Sequence, residues 1–124
     1  MKVKTYSPKD FKEYCKRVDH WIKQFNITGW VYSFEHTQLE TACAQVCYNM
    51  VARNAVFMLT TSQDNSMETY EDMNYLALHE VIHLLLANLL FVTASTSSDN
   101  NNPIVQASEH EVIHQLCQFL LKAK

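Results

Sequence analysis

From Val81 to Val92 every residue except His83 and Asn88 is apolar, and a five-residue pattern, His79-Glu80-Val81-Ile82-His83, runs into the start of that stretch. Such a stretch, free of Pro and Gly, fits a helix buried on nearly all sides. Histidines and a carboxylate inside it need partners, because an unpaired buried charge costs several kcal/mol. On a helix, residues four apart share a face, so His79 and His83 can offer two imidazoles to one metal ion while Glu80 reaches water on that ion. This is the donor pattern and general base of a zinc hydrolase.

The same five letters return as His110-Glu111-Val112-Ile113-His114. Two copies do not make a repeat architecture, which needs three or more units. At about 100° per residue, Val105, Glu109, Val112, Ile113, Leu116 and Leu120 form one stripe with Glu109 near its centre. His110 and His114 then lie roughly 100–140° away from it. Glu109 is therefore expected to face the core. A catalytic zinc takes three protein ligands and keeps an open fourth position, so the expected ligand set is His79, His83 and Glu109. His110 and His114, with Cys117 on their side, are expected to be solvated or half-buried, and at most an adventitious second site. The longer H-E-x-x-H-x-x-G-x-x-H pattern is excluded, because Leu86 and Leu89 stand where it needs Gly and His.

The segment Ala77-Leu78-His79-Glu80-Val81-Ile82-His83-Leu84-Leu85-Leu86-Ala87, followed by Glu109-His110 and an apolar helix, resembles the small metallopeptidases encoded by phages and prophages, minimal gluzincin-type proteins. The likeness runs from about Gly29-Trp30 to the C-terminus, and its specific part is the two helices. It implies zinc on His79, His83 and Glu109 with Glu80 as base; a peptide or protein substrate is expected from that chemistry, and a cytoplasmic setting, the host's if phage-encoded, from a sequence without a signal-peptide start or a membrane-length apolar run. Two positions depart from the family pattern: His114 stands at an expected non-ligand position, and Ser108 where an acid often precedes the family Glu.

With 124 residues and 48% hydrophobic content, the chain can bury one core, and a single domain over residues 1–124 is expected. The net charge is −3, with the basic residues concentrated near the N-terminus. There Lys2, Lys4, Lys9, Lys12, Lys16, Arg17 and Lys23 are interleaved with Asp10, Glu13 and Asp19, which describes a solvated helix face better than a nucleic-acid surface. The first residues lack the apolar core of a signal peptide, and no apolar run reaches the ~20 residues of a membrane helix. Cys15, Cys43, Cys47 and Cys117 lack zinc-ribbon spacing; on one strand Cys43 and Cys47 would lie about 13 Å apart, so free thiols are expected.

Ser7-Pro8-Lys9-Asp10 predicts a helix start, and Phe11, Tyr14, Cys15, Val18, Trp21, Ile22 and Phe25 give that helix an apolar stripe that should lie on a sheet. Gly29 precedes a predicted strand over 30–36; further strands are predicted over 42–50 and 55–59, the last two joined as a hairpin through Arg53-Asn54. A polar stretch at 60–66 leads to one long site-bearing helix over about 68–92. Residues 93–102 read as a linker able to cover the cleft, and Pro103 opens the last helix.

The expected architecture is α+β: an N-terminal helix, a small three-stranded sheet, mainly antiparallel or mixed, then two helices carrying the site, a minimal zincin-like core. The expected chemistry is peptide hydrolysis with Glu80 as general base, and Tyr48, Tyr70 and Tyr75 are the candidates for stabilising an oxyanion. The main alternative is a zinc-stabilised binding or regulatory protein with a latent site. A dinuclear carboxylate bundle lacks the further inward glutamates it requires. A nuclease lacks a basic and aromatic surface.

Overall fold

The structure is a computed structural model that describes residues 3–64, 72–96 and 103–122. The first long element is α1 (Pro8–Gln24), which starts where its capping chemistry dictates. Ser7 Oγ accepts from the Asp10 amide at 3.1 Å while the Asp10 carboxylate accepts from the Ser7 amide at 2.9 Å, satisfying two amides that the first turn leaves open. Tyr14, Val18, Trp21 and Ile22 form its buried face. That face packs chiefly on helix α2 (Met73–Leu85) and only lightly on the sheet, unlike the sheet contact expected from the stripe. Trp21 Nε1 donates to Asn74 Oδ1 at 2.8 Å across this contact, and the Tyr32 hydroxyl donates to Asp19 Oδ1 at 2.6 Å on the sheet side.

Three strands form the main sheet: β2 (Val31–His36), β3 (Ala44–Asn49) and β4 (Asn54–Leu59), in the order β2-β4-β3. The sheet is mixed. Strand β4 is central, parallel to β2 and antiparallel to β3, with Phe57 opposite Phe34 on one side and Val46 on the other. Ala55, Phe57 and Leu59 alternate into the core, as a strand covered on one face requires. The β3–β4 turn is held by Asn49, whose Oδ1 accepts from the Val51 and Ala52 amides at 2.9 Å each, and closes through Arg53 at φ 58°. Before β2 the chain turns through Gly29 at φ 82°, where a Cβ would meet nothing within 4 Å, so only the backbone angle favours glycine.

Two short strands add to the expected elements: β1 (Val3–Thr5) pairs antiparallel with β5 (Ser62–Asp64), the latter inside the polar stretch at 60–66. Three-residue strands carry no legible period, and here most of the residues are polar.

The long helix predicted over 68–92 is two helices in its described part. α2 ends at Leu85, Leu86 caps it, and α3 (Ala87–Thr96) continues beyond, so residues 93–96 are helical rather than linker. Backbone bonds bracket the joint, from Leu86 N to the Ile82 carbonyl and from Leu90 N to the Leu86 carbonyl, both at 3.0 Å. Neither Pro nor Gly stands there, and nothing in the local sequence explains the break. Residues 68–71, and 97–102 with their expected covering role, lie outside the described residues.

The last helix, α4 (Pro103–Lys122), packs against α2. Its face is rotated from the predicted one. Ile113 and Cys117 are fully buried, whereas Val112, placed on the predicted stripe, is 41% exposed. Cysteine behaves as a small hydrophobe. Counting Cys117 with the apolar set centres the stripe between Ile113 and Cys117, with His110 roughly 40° and Glu109 roughly 60° to either side. Among the described residues, no helix is long and apolar enough to cross a membrane.

Candidate metal centre

The centre lies where α2 and α4 cross. Tyr75, His79 and His83 succeed one another at one-turn intervals on α2. Opposite them, running the other way, stand His114, His110 and Glu109 of α4. The antiparallel match is visible in the ring contacts: His83 lies 5.2 Å from His110, His79 lies 6.0 Å from His110 and 5.4 Å from His114, and Tyr75 lies 6.3 Å from His114. Both copies of the five-residue pattern thus face one another.

One ligand atom each from His79, His83 and His110 lie within 4.8 Å of one another, the spacing a single metal ion needs before its ligands close on it. Glu109, expected as third ligand, is outside this group. Its Oε2 accepts from His83 Nδ1 at 2.6 Å, a short charge-assisted bond with both side chains largely buried. His110, expected on the solvent side away from the site, joins the group, and His114 packs beside His79. The difference follows from the rotation of α4 described above: the buried Ile113–Cys117 edge brings both His110 and Glu109 to the crossing.

The electrostatics fit a cation. Burial, then the neighbouring His83, His114 and His110, hold the His79 imidazole down to about 3, so it stays neutral with a lone pair available. Burial also works to lower His83, but its bond to Glu109 and the charges of Glu80 and Glu109 outweigh that and raise it. With Nδ1–H donated to Glu109, His83 keeps its free lone pair on Nε2, which is how a carboxylate fixes the tautomer of a ligating histidine. His110 is exposed while His79 and His83 are half-buried, so the group opens to solvent on one side. Three imidazole donors with an accessible side suit zinc in a three-ligand site, where the metal would displace the proton that the raised His83 favours.

Glu80 sits differently. It is 7% exposed, burial pushes its carboxyl up to about 7, and the Val46 amide and the nearby His83 oppose that rise. Its carboxylate thus lies beside β3, an edge strand of the main sheet. Of the tyrosines considered, Tyr75 donates or accepts at His114 Nδ1 at 2.6 Å. Tyr48 is raised by burial and by the Glu109 charge, which puts it on the Glu109 side. Tyr70 lies outside the described residues. Beside the centre, a groove of about 300 Å³ is walled by Leu86, Leu90, Ile104 and Val112 and shares Glu109 with the site, a feature that no local motif announces. All four cysteines are free, and none joins the centre.

Comparison with protein families, with curated proteins and with solved structures returns no match to this chain.

Proposed function

We propose that this protein is a zinc-dependent peptide hydrolase whose metal is held by His79, His83 and His110, with Glu109 orienting His83 and Glu80 as general base. The observation that carries it is the convergence of three imidazole nitrogens within 4.8 Å at a crossing open to solvent. Bound zinc would supply Lewis acidity, lowering the pKa of a water and polarising a carbonyl oxygen. The chain's own residues do the rest. Glu80, held up to about 7 by burial, is matched to taking and returning a proton near neutral pH. Glu109 fixes which His83 nitrogen keeps a lone pair. Strand β3 pairs only with β4 among the described residues, leaving a strand edge against which an extended peptide can align. The neighbouring groove offers an apolar side chain a place to sit.

The resemblance to small phage and prophage metallopeptidases is part of the same proposal, and the four free cysteines fit a reducing compartment such as the cytoplasm. A second reading, a zinc-stabilised binding protein with a latent site, is favoured by one observation: Glu80 is buried beside β3. The test is hydrolysis of a broad peptide library by zinc-replete protein, with Glu80→Gln alongside. Cleavage by the unmodified chain and its loss in Glu80→Gln with zinc retained supports the hydrolase. No cleavage by zinc-loaded unmodified chain replaces it with the latent-site protein.

A further inference from the structure

The proposed metal centre holds one histidine too many for an open site. Four imidazoles, those of His79, His83, His110 and His114, crowd the crossing, and a zinc with four imidazoles is closed to substrate. His114 packs 5.4 Å from His79, ring to ring, yet it is not among the three side chains whose ligand atoms converge. What distinguishes it is its partner: the Tyr75 hydroxyl lies 2.6 Å from His114 Nδ1.

The chemistry of that contact decides what His114 can do. A phenol O–H is a stronger acid than a neutral imidazole N–H, and an imidazole lone pair is a better acceptor than a phenol oxygen, so the proton belongs to Tyr75 and Nδ1 accepts it. A neutral imidazole has one lone pair and one N–H. With the Nδ1 lone pair engaged, the proton of His114 sits on Nε2, and neither nitrogen is left to bind a cation. Tyr75 reaches His114 from α2, one turn before His79, so the same helix face that carries the two α2 histidines also carries the group that restrains the fourth.

Resting on the metal centre proposed above, we infer that Tyr75 is a positioning residue that keeps His114 out of the coordination shell, so that a metal held by His79, His83 and His110 retains an open position. Loss of the Tyr75 hydroxyl frees the Nδ1 lone pair of His114 and converts the centre from three imidazoles to four. The sequence signal is the spacing Tyr75-x-x-x-His79-x-x-x-His83 on α2 set against His110-x-x-x-His114 on α4.

The test loads the full chain with one equivalent of cobalt(II) and follows its visible absorption as azide is added. In the unmodified protein azide shifts the bands, because it enters the open position. In Tyr75→Phe the bands no longer respond to azide, while Tyr75→Phe with His114→Ala regains the response. A Tyr75→Phe protein that stays as azide-responsive as the unmodified chain overturns the proposal alone. An unmodified chain that takes up no cobalt overturns the metal centre and the proposal together. Should Tyr75→Phe fail to fold, long-range ¹H–¹⁵N spectra of the histidine side chains in the unmodified metal-free chain decide. The Nε2–H tautomer of His114 is expected, and an Nδ1–H tautomer overturns the proposal.

Discussion

Residues 79–83 and 110–114 share five letters and have different surroundings. In the first copy the glutamate, Glu80, is 7% exposed and lies beside the sheet edge; in the second, Glu111 is exposed on α4. In the first copy both histidines belong to the converging group; in the second, His110 belongs to it and His114 is bound to Tyr75. The spacing guarantees only that two histidines share a helix face. What each copy can do is settled by the neighbouring elements: α2 is packed against α1, β3 and α4, whereas α4 packs chiefly on α2 alone.

The comparison is broken most sharply at the metal. His79→Ala or His83→Ala is expected to abolish stoichiometric zinc binding, and His114→Ala to retain one zinc per chain, measured by metal analysis after removal of free zinc. Two zinc ions per chain in the unmodified protein would make the second copy a site of its own. At the glutamates, Glu80→Gln is expected to lower peptide hydrolysis by about 10²–10⁴-fold with zinc retained, while Glu111→Gln leaves it unchanged. Equal effects at both positions would erase the distinction.

The rotation of α4 can be tested without metal. Ile113→Ala should cost about 2–5 kcal/mol in denaturant melts of the metal-free protein, because it empties a fully buried site. Val112→Ala, at a position 41% exposed, should stay within about 0.5 kcal/mol. The reverse order would restore the stripe centred on Glu109. At Glu109 itself, Glu109→Gln removes the charge beside His83 Nδ1 and should weaken zinc binding by about 10–100-fold, read by chelator competition. Complete loss of zinc would instead make Glu109 a ligand.

Much of the fold is legible where local chemistry is decisive. The Ser7–Asp10 box fixes the start of α1, the continuous apolar run over 55–59 marks the central strand, and the Arg53 turn closes the hairpin. The partner of α1 is not legible, because a stripe states how much is buried but not against what; α2 rather than the sheet receives it. The joint at Leu86 and the pairing of β1 with β5 have no local signal. At the centre, His79 and His83 announce themselves through spacing within an apolar run. His110 does not: a wheel drawn from aliphatic side chains alone brings Glu109 to the core side, where it is bonded to His83, but only with Cys117 counted as a core residue does His110 also come to the crossing.

The proposal that His110, and not Glu109, is the third ligand is tested by a crystal of the full chain grown with one equivalent of zinc, through anomalous scattering at the zinc edge. One peak is expected, about 2.0–2.1 Å from a nitrogen of each of His79, His83 and His110, with the Glu109 carboxylate on His83 Nδ1 and not on the metal. A peak ligated by a Glu109 oxygen in place of His110, or no zinc at the crossing of α2 and α4, would contradict it.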